Sequence, residues 1–351
     1  MEKISQKVCV PAYDDLGEPE PIEPIFPEGV DPTREGWQAI RADLKQRWDA
    51  ALGSPAFGDF DKTAEITDNF DRPLYRATVL KQPTDPETRQ TLLLMEPKSP
   101  AASPRPGMVI PFYHPDAMAG IDIATRQPLT DAPLIQFGRH LVQQGYVVVC
   151  TEAFPYNTVP EPRENKGFAW WQTAAEKLLK DNPKWTGIAR LVYDTSRAVD
   201  LLLDQPDMDP QRIGVMGHSL GGKMAFYTGC LDARIQAIVS SDFGIGWAFT
   251  NWDAPWYLGD QIHRPGFTLA HHHLLALHAP RAFLLIGGDA DRPASWQYLN
   301  EAKKVYGLHG REDAVGFFDH ASGHRPTEES LQIAYRWLGE QFGLEERAWE
   351  V

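Results

Sequence analysis

From residue 107 onward the chain alternates short apolar runs with stretches of helical apolar period. MVIPF (108–112), YVVVCT (146–151), RIGVMGH (212–218), IQAIVSS (235–241), RAFLLIGG (281–288) and AVGFFDH (314–320) have the length and β-branched content of buried strands. Between them Leu134, Phe137 and Leu141, and later Leu191, Val192, Thr195, Val199 and Leu202, recur at the spacing of one helix face. Buried strands alternating with helices predict a mostly parallel sheet flanked by helices. Upstream, LYRATVL (74–80) and RQTLLLME (89–96) flank the turn-rich QPTDPET and predict an antiparallel pair leading into that sheet. A last helix is expected from about Pro326 to Phe342, with Leu331, Tyr335 and Leu338 on its apolar face.

The N-terminal part reads differently. Asp31 and Pro32 offer an N-cap and a first-turn proline for an amphipathic helix that carries Trp37, Ile40, Leu44 and Trp48 and ends near Gly53. The Pro- and Glu-rich residues before it suit either an arm laid over the body or a mobile tail. The chain therefore divides into an N-terminal arm and helical extension (1–73) and an α/β domain (74–345). Two connections, about 154–186 and 243–270, are too long for simple crossovers. They hold Trp170, Trp171 and Trp185, then Trp247, Trp252 and Trp256. Insertions of this kind serve as lids or binding loops.

Composition narrows the partners. With a net charge of -14 and no stripe of Lys and Arg, nucleic acid is excluded as a partner. No run approaches the length of a membrane span and the first residues lack the apolar core of an export signal, so a soluble protein without membrane contact is expected. Cys9, Cys150 and Cys230 form no disulfide framework, which fits a reducing, cytoplasmic setting. Homo-oligomeric assembly is compatible with the sequence, which does not fix the oligomeric state.

The chemistry centres on GVMGHSLGGKMAF (214–226), where Ser219 lies between a strand-like and a helix-like segment. A serine hydroxyl becomes a nucleophile when a base takes its proton and a sharp strand-to-helix turn lifts it off the sheet. That turn needs small residues two before and two after, and Gly217 and Gly221 stand there. The N–H of Leu220 then faces a developing oxyanion at a helix N-terminus. A base is expected beyond the last strand, where His324 in DHASGHRP is favoured over His320 at the strand end. The acid that orients it is expected in GGDADRP as Asp291, with Asp289 and Asp242 as alternatives. A second oxyanion donor should follow the strand at 108–112, at the backbone of Tyr113 or His114.

These motifs resemble the α/β-hydrolase superfamily over about residues 74–345. GHSLGG, SDFGIGW and HHHLLALHAPRAFLLIGG are similar to the branch that holds dienelactone hydrolase-like, acetyl xylan esterase-like and glucuronoyl esterase-like proteins. The resemblance implies a Ser-His-Asp triad, an acyl-enzyme intermediate, an ester or lactone substrate, and no cofactor or metal. Glucuronoyl esterases carry an arginine directly after the nucleophile and a lysine three further on. Here the lysine is Lys223, but Leu220 stands in the arginine's place, so that oxyanion contribution is missing.

Around such a site, Trp252 and Trp256 are expected at the substrate rim with Lys223. Arg292 and Arg325, which come directly after the candidate acid and base, suit a substrate carboxylate. Consecutive histidines on a helix diverge, so His271, His272 and His273 cannot share a metal ion and are expected at the surface or a pocket rim. A serine peptidase or amidase on the same fold, or a catalytically silent binding protein, are the rival readings. The first commonly carries a further domain absent here, and the second would show a lost triad member.

Overall fold

The computed structural model describes residues 3–164 and 166–351. The strands among them are β1 (Glu65–Asp71), β2 (Tyr75–Pro83), β3 (Arg89–Pro97), β4 (Arg105–Pro111), β5 (Val147–Thr151), β6 (Met208–His218), β7 (Ala237–Ser241), β8 (Ala282–Gly287) and β9 (Val315–Asp319). They form one sheet in the order β1-β2-β3-β5-β4-β6-β7-β8-β9. The first three strands and the β3–β5 pair run antiparallel, and every pairing from β5 through β4 to β9 is parallel. The expected α/β architecture is thus present. β5, β7 and β8 are buried along their whole length, which is why they read as unbroken apolar runs.

Two expected boundaries shift. The N-terminal helix spans Arg34–Leu52 and is capped by Thr33, whose hydroxyl accepts the Gly36 N–H at 3.0 Å, so Asp31 and Pro32 lie outside it. Strand β1 lies inside the segment assigned to the extension, so the sheet begins before residue 74. The helix still joins the main core, burying Trp37, Leu44, Trp48 and Leu52.

The N-terminal arm lies on the body. Ile4, Val8, Ile25 and Phe26 are buried, and the Ile4 and Ser5 amides donate to Glu340 at 2.7 and 2.9 Å. Glu20 exchanges backbone and side-chain bonds with Gln297, accepts the Tyr298 hydroxyl, and accepts the Ala248 N–H at 3.0 Å. The arm is therefore tied both to the helix Trp296–Leu308 and to the second insertion.

The insertions fold back onto the domain. The first contributes helices Phe154–Thr158 and Ala169–Asp181, the second short 3-10 turns at Trp247–Phe249 and Gly259–His263. His271, His272 and His273 are buried, contrary to the expected surface placement. Their rings bond Tyr227 and the Ile245 carbonyl, the Glu23 carbonyl, and the Ala270 N–H, respectively. Among the described residues no group of three or more His, Cys, Asp or Glu could hold a metal ion, and no helix is long and apolar enough to cross a membrane.

Candidate active site

Strand β6 ends at His218 and a helix begins at Leu220, so Ser219 alone makes the turn. It does so at φ 54°, ψ -114°, a conformation that costs a non-glycine residue about 1–3 kcal/mol. Surrounding contacts enforce it. A Cβ on Gly217 would sit 2.0 Å from the Gly221 carbonyl oxygen, and one on Gly221 would sit 2.2 Å from that of Pro111. The Ser219 N–H donates to the Ser241 carbonyl at 2.8 Å, fastening the elbow to the end of β7. Leu220 is the first helical residue, and its N–H is among those with no partner within the helix.

His324 hangs over this turn from the loop after β9. Its Nε2 lies 2.9 Å from Ser219 Oγ and its Nδ1 lies 2.6 Å from Asp242 Oδ2. The structure therefore pairs the histidine with Asp242, not with Asp291 as the loop offset suggested. Asp242 comes directly after β7 at φ 43° and is fully buried at its carboxylate. Its Oδ1 accepts the N–H groups of Ala290 and Asp291 at 3.0 and 2.8 Å, and Oδ2 that of Asp289 at 3.1 Å.

Asp291 is turned the other way. Its carboxylate accepts the Gly244 and Ile245 N–H groups at 2.7 and 2.8 Å and the Ser295 hydroxyl at 3.0 Å. Each acid thus binds the backbone of the other's loop, and only Asp242 reaches the imidazole. Burial raises the Asp291 carboxyl to about 6 despite those amides. Asp289 is exposed and reaches the relay only through its backbone. His320 bonds Ser322 at 2.8 Å and not the nucleophile.

One neighbour escaped sequence reasoning. His218 lies beneath His324, with ring centroids 4.6 Å apart and its Nδ1 3.1 Å from the Ser241 hydroxyl. Burial lowers it to about 3, so it is neutral at ordinary pH and adds no charge next to His324. Its place immediately before the serine was the available signal.

The expected substrate contacts are mostly corrected. Lys223 and Trp252 are enclosed instead of lining a rim, and they face each other. The ammonium lies 4.1 Å from the Trp252 ring and 4.3 Å from the Tyr257 ring, bonded to Thr250 and Asn251 at 3.2 and 3.3 Å. Among the described residues no carboxylate pairs with it, and desolvation lowers it to about 7. The Trp252 indole N–H is taken by the Gly244 carbonyl at 2.7 Å. Trp256 is buried against Phe168 and Trp171. Arg292 is exposed and lies over Phe249, and Arg325 is exposed beside His324. Tyr113 and His114 do come after β4, at the loop that abuts the elbow through Pro111 and Phe112. A cleft of about 1200 Å³ lies elsewhere, between the helix Arg34–Leu52 and the loop at Tyr257–Gln261.

A strained serine at a strand-to-helix turn, with histidine and buried carboxylate in line over a mostly parallel sheet, defines the α/β-hydrolase class. Residues 130–245 match the dienelactone hydrolase family model. The chain is 28% identical over 220 residues to the putative hydrolase YtaP of Bacillus subtilis (strain 168), covering 58% of this chain and 68% of that protein. Its fold is similar to that of a glucuronoyl esterase from Solibacter usitatus (TM-score 0.67, 18% identity, 96% and 99% of the two chains). It is also similar to a putative acetyl xylan esterase from Bacteroides fragilis NCTC 9343 (TM-score 0.63, 19% identity, 88% and 84%). These similarities are consistent with the dienelactone hydrolase-like branch of the α/β-hydrolases and make the protein, by class, a carboxylic ester hydrolase.

Proposed function

We propose that the protein cleaves a small carboxylic ester or lactone through Ser219, His324 and Asp242. The observation that carries this reading is the continuous relay of 2.9 and 2.6 Å from the strained serine to a buried carboxylate. His324 Nε2 takes the proton as Ser219 Oγ attacks the carbonyl carbon. The resulting oxyanion meets the Leu220 N–H and a backbone N–H of Tyr113 or His114. His324 returns the proton to the leaving alkoxide, leaving an acyl-enzyme that water releases by the same steps in reverse order. Asp242 fixes the tautomer that keeps Nε2 free and stabilises the imidazolium. Arg325 is the cation that a substrate carboxylate would meet beside the base.

Intact-protein mass spectrometry after treatment with a fluorophosphonate tests the reading, together with a panel of alkyl esters and lactones. A single adduct, absent in Ser219→Ala and His324→Ala, is expected with ester turnover. A folded wild type without an adduct, or an adduct that survives Ser219→Ala, would sink it.

A further inference from the structure

On the loop after β4 the first insertion borders an open slot of about 380 Å³, walled by Tyr113, His114, Tyr156, Phe168, Trp170 and Trp171. Its position is set by packing. Pro111 and Phe112 press on the first turn of the nucleophile helix at Gly221, and the Phe112 and Tyr113 rings are 4.6 Å apart. The slot therefore opens one residue beyond the contact that sets the elbow. It is on the loop from which the second oxyanion donor is expected.

The rings hold one another edge to face. Tyr156 lies 4.8 Å from Trp170 and 5.9 Å from Trp171, and Tyr113 lies 5.8 Å from Trp171, with interplanar angles of 74–89°. The indole N–H groups of the wall are spent on the protein itself, which leaves the Tyr113 and Tyr156 hydroxyls and the His114 ring as its polar atoms. The Trp170 indole donates to the Val159 carbonyl at 3.1 Å and the Trp171 indole to the Tyr156 hydroxyl at 3.2 Å. Apart from Gly167, the lining is wholly aromatic, with no carboxylate, carboxamide, lysine or arginine. A ring bearing many hydroxyls would find only these few partners, without the carboxylates and carboxamides that usually replace its water. A planar aryl ring gives up no hydrogen bonds of its own and meets edges and faces that match it. Phe168, 54% exposed at the mouth and stacked on Trp256 at 5.1 Å, extends the same surface outward.

From this we infer that the slot is a substrate subsite for an aryl group carried on the acyl or the alcohol side of the scissile ester. The inference rests on the reading of Ser219 as the nucleophile. It predicts an aryl ester hydrolase in which the phenyl or phenol ring sits edge-on among these side chains while the carbonyl reaches the elbow.

Two arms test it. In the first, Ser219→Ala is titrated with uncleaved methyl 3-phenylpropanoate and with methyl 3-cyclohexylpropanoate, read by saturation-transfer NMR and tryptophan fluorescence. The phenyl ester should bind, and Trp170→Ala in the same background should weaken it about three- to tenfold, with near-UV circular dichroism reporting that the fold is kept. In the second, wild-type kcat/KM is compared for methyl 3-phenylpropanoate, benzyl acetate and ethyl acetate. A preference for the first assigns the ring to the acyl side and for the second to the alcohol side. Trp170→Phe should restore the preference that Trp170→Ala removes. Equal binding of phenyl and cyclohexyl esters, or binding indifferent to Trp170, would overturn the subsite even if esters are hydrolysed. Aryl binding without hydrolysis of any ester would instead overturn the role of Ser219 and leave the subsite standing.

Discussion

Replacing Asp242 by Asn preserves shape while removing charge, and the hydrogen bonds around the carboxylate determine the consequence. Oδ2 receives the imidazole at 2.6 Å and the Asp289 N–H at 3.1 Å, while Oδ1 receives two further amides. If the new NH₂ takes the Oδ2 position it faces the Asp289 donor and forces His324 Nδ1 to accept. The ring proton then moves to Nε2, where it blocks proton uptake from Ser219. If the amide flips, the NH₂ confronts both Ala290 and Asp291. Loss of the correct tautomer and of the charge beneath the imidazolium should lower kcat by about 10⁴-fold, or about 5–6 kcal/mol of barrier. The mismatched amide should cost about 1–3 kcal/mol of stability. Asp291→Asn is the matched control, since its oxygens bond only the loop and Ser295; it should lower stability by a comparable amount and kcat by less than about 100-fold. The assay is pH-stat ester hydrolysis with fluorophosphonate labelling rates, at temperatures below both melting transitions. Asp242→Asn within about tenfold of wild type, or Asp291→Asn equally damaging at matched stability, would refute the assignment.

Ser219→Gly should abolish turnover yet raise unfolding stability by about 1 kcal/mol, because glycine adopts φ 54° without strain; a lower denaturation midpoint would contradict this. Gly221→Ala should cost about 1–3 kcal/mol and about 100-fold in kcat/KM, because its Cβ must displace the Pro111 carbonyl; denaturant melts and kinetics read both. For Lys223, the folded value of about 7 lies below the ordinary 10.5, so the unfolded chain binds more protons between these limits. The lysine's contribution to stability should therefore improve as pH rises across that window. The difference in unfolding free energy between wild type and Lys223→Met should shift in favour of wild type from pH 7 to 10, and a pH-independent difference would refute it.

The elbow was legible because its requirement is local: two small residues flanking a serine by two, between a strand and a helix. The central strands were legible because burial on both faces leaves them wholly apolar. Strand β1 was not, since EITDNFD is an edge strand with only Phe70 buried. The choice of acid was not legible either. Asp242 and Asp291 both come after adjacent parallel strands, and the decision between them lies in backbone amides 46 to 49 residues away. Lys223 and Trp252 looked like surface chemistry because one is charged and one is large. Each supplies what the other needs for burial, a contact between residues 29 apart in the chain that periodicity does not reveal.

The arm gives the site an order of assembly. Glu20 grips Gln297, 277 residues downstream, and through Ala248 it holds the insertion that begins just after Asp242. During synthesis this segment precedes its partners Ala248 and Gln297 by more than two hundred residues. Its docking is among the most non-local events in the fold and comes at the entropic cost of closing a very long loop. The acid loop is thus fastened from outside only when the arm docks.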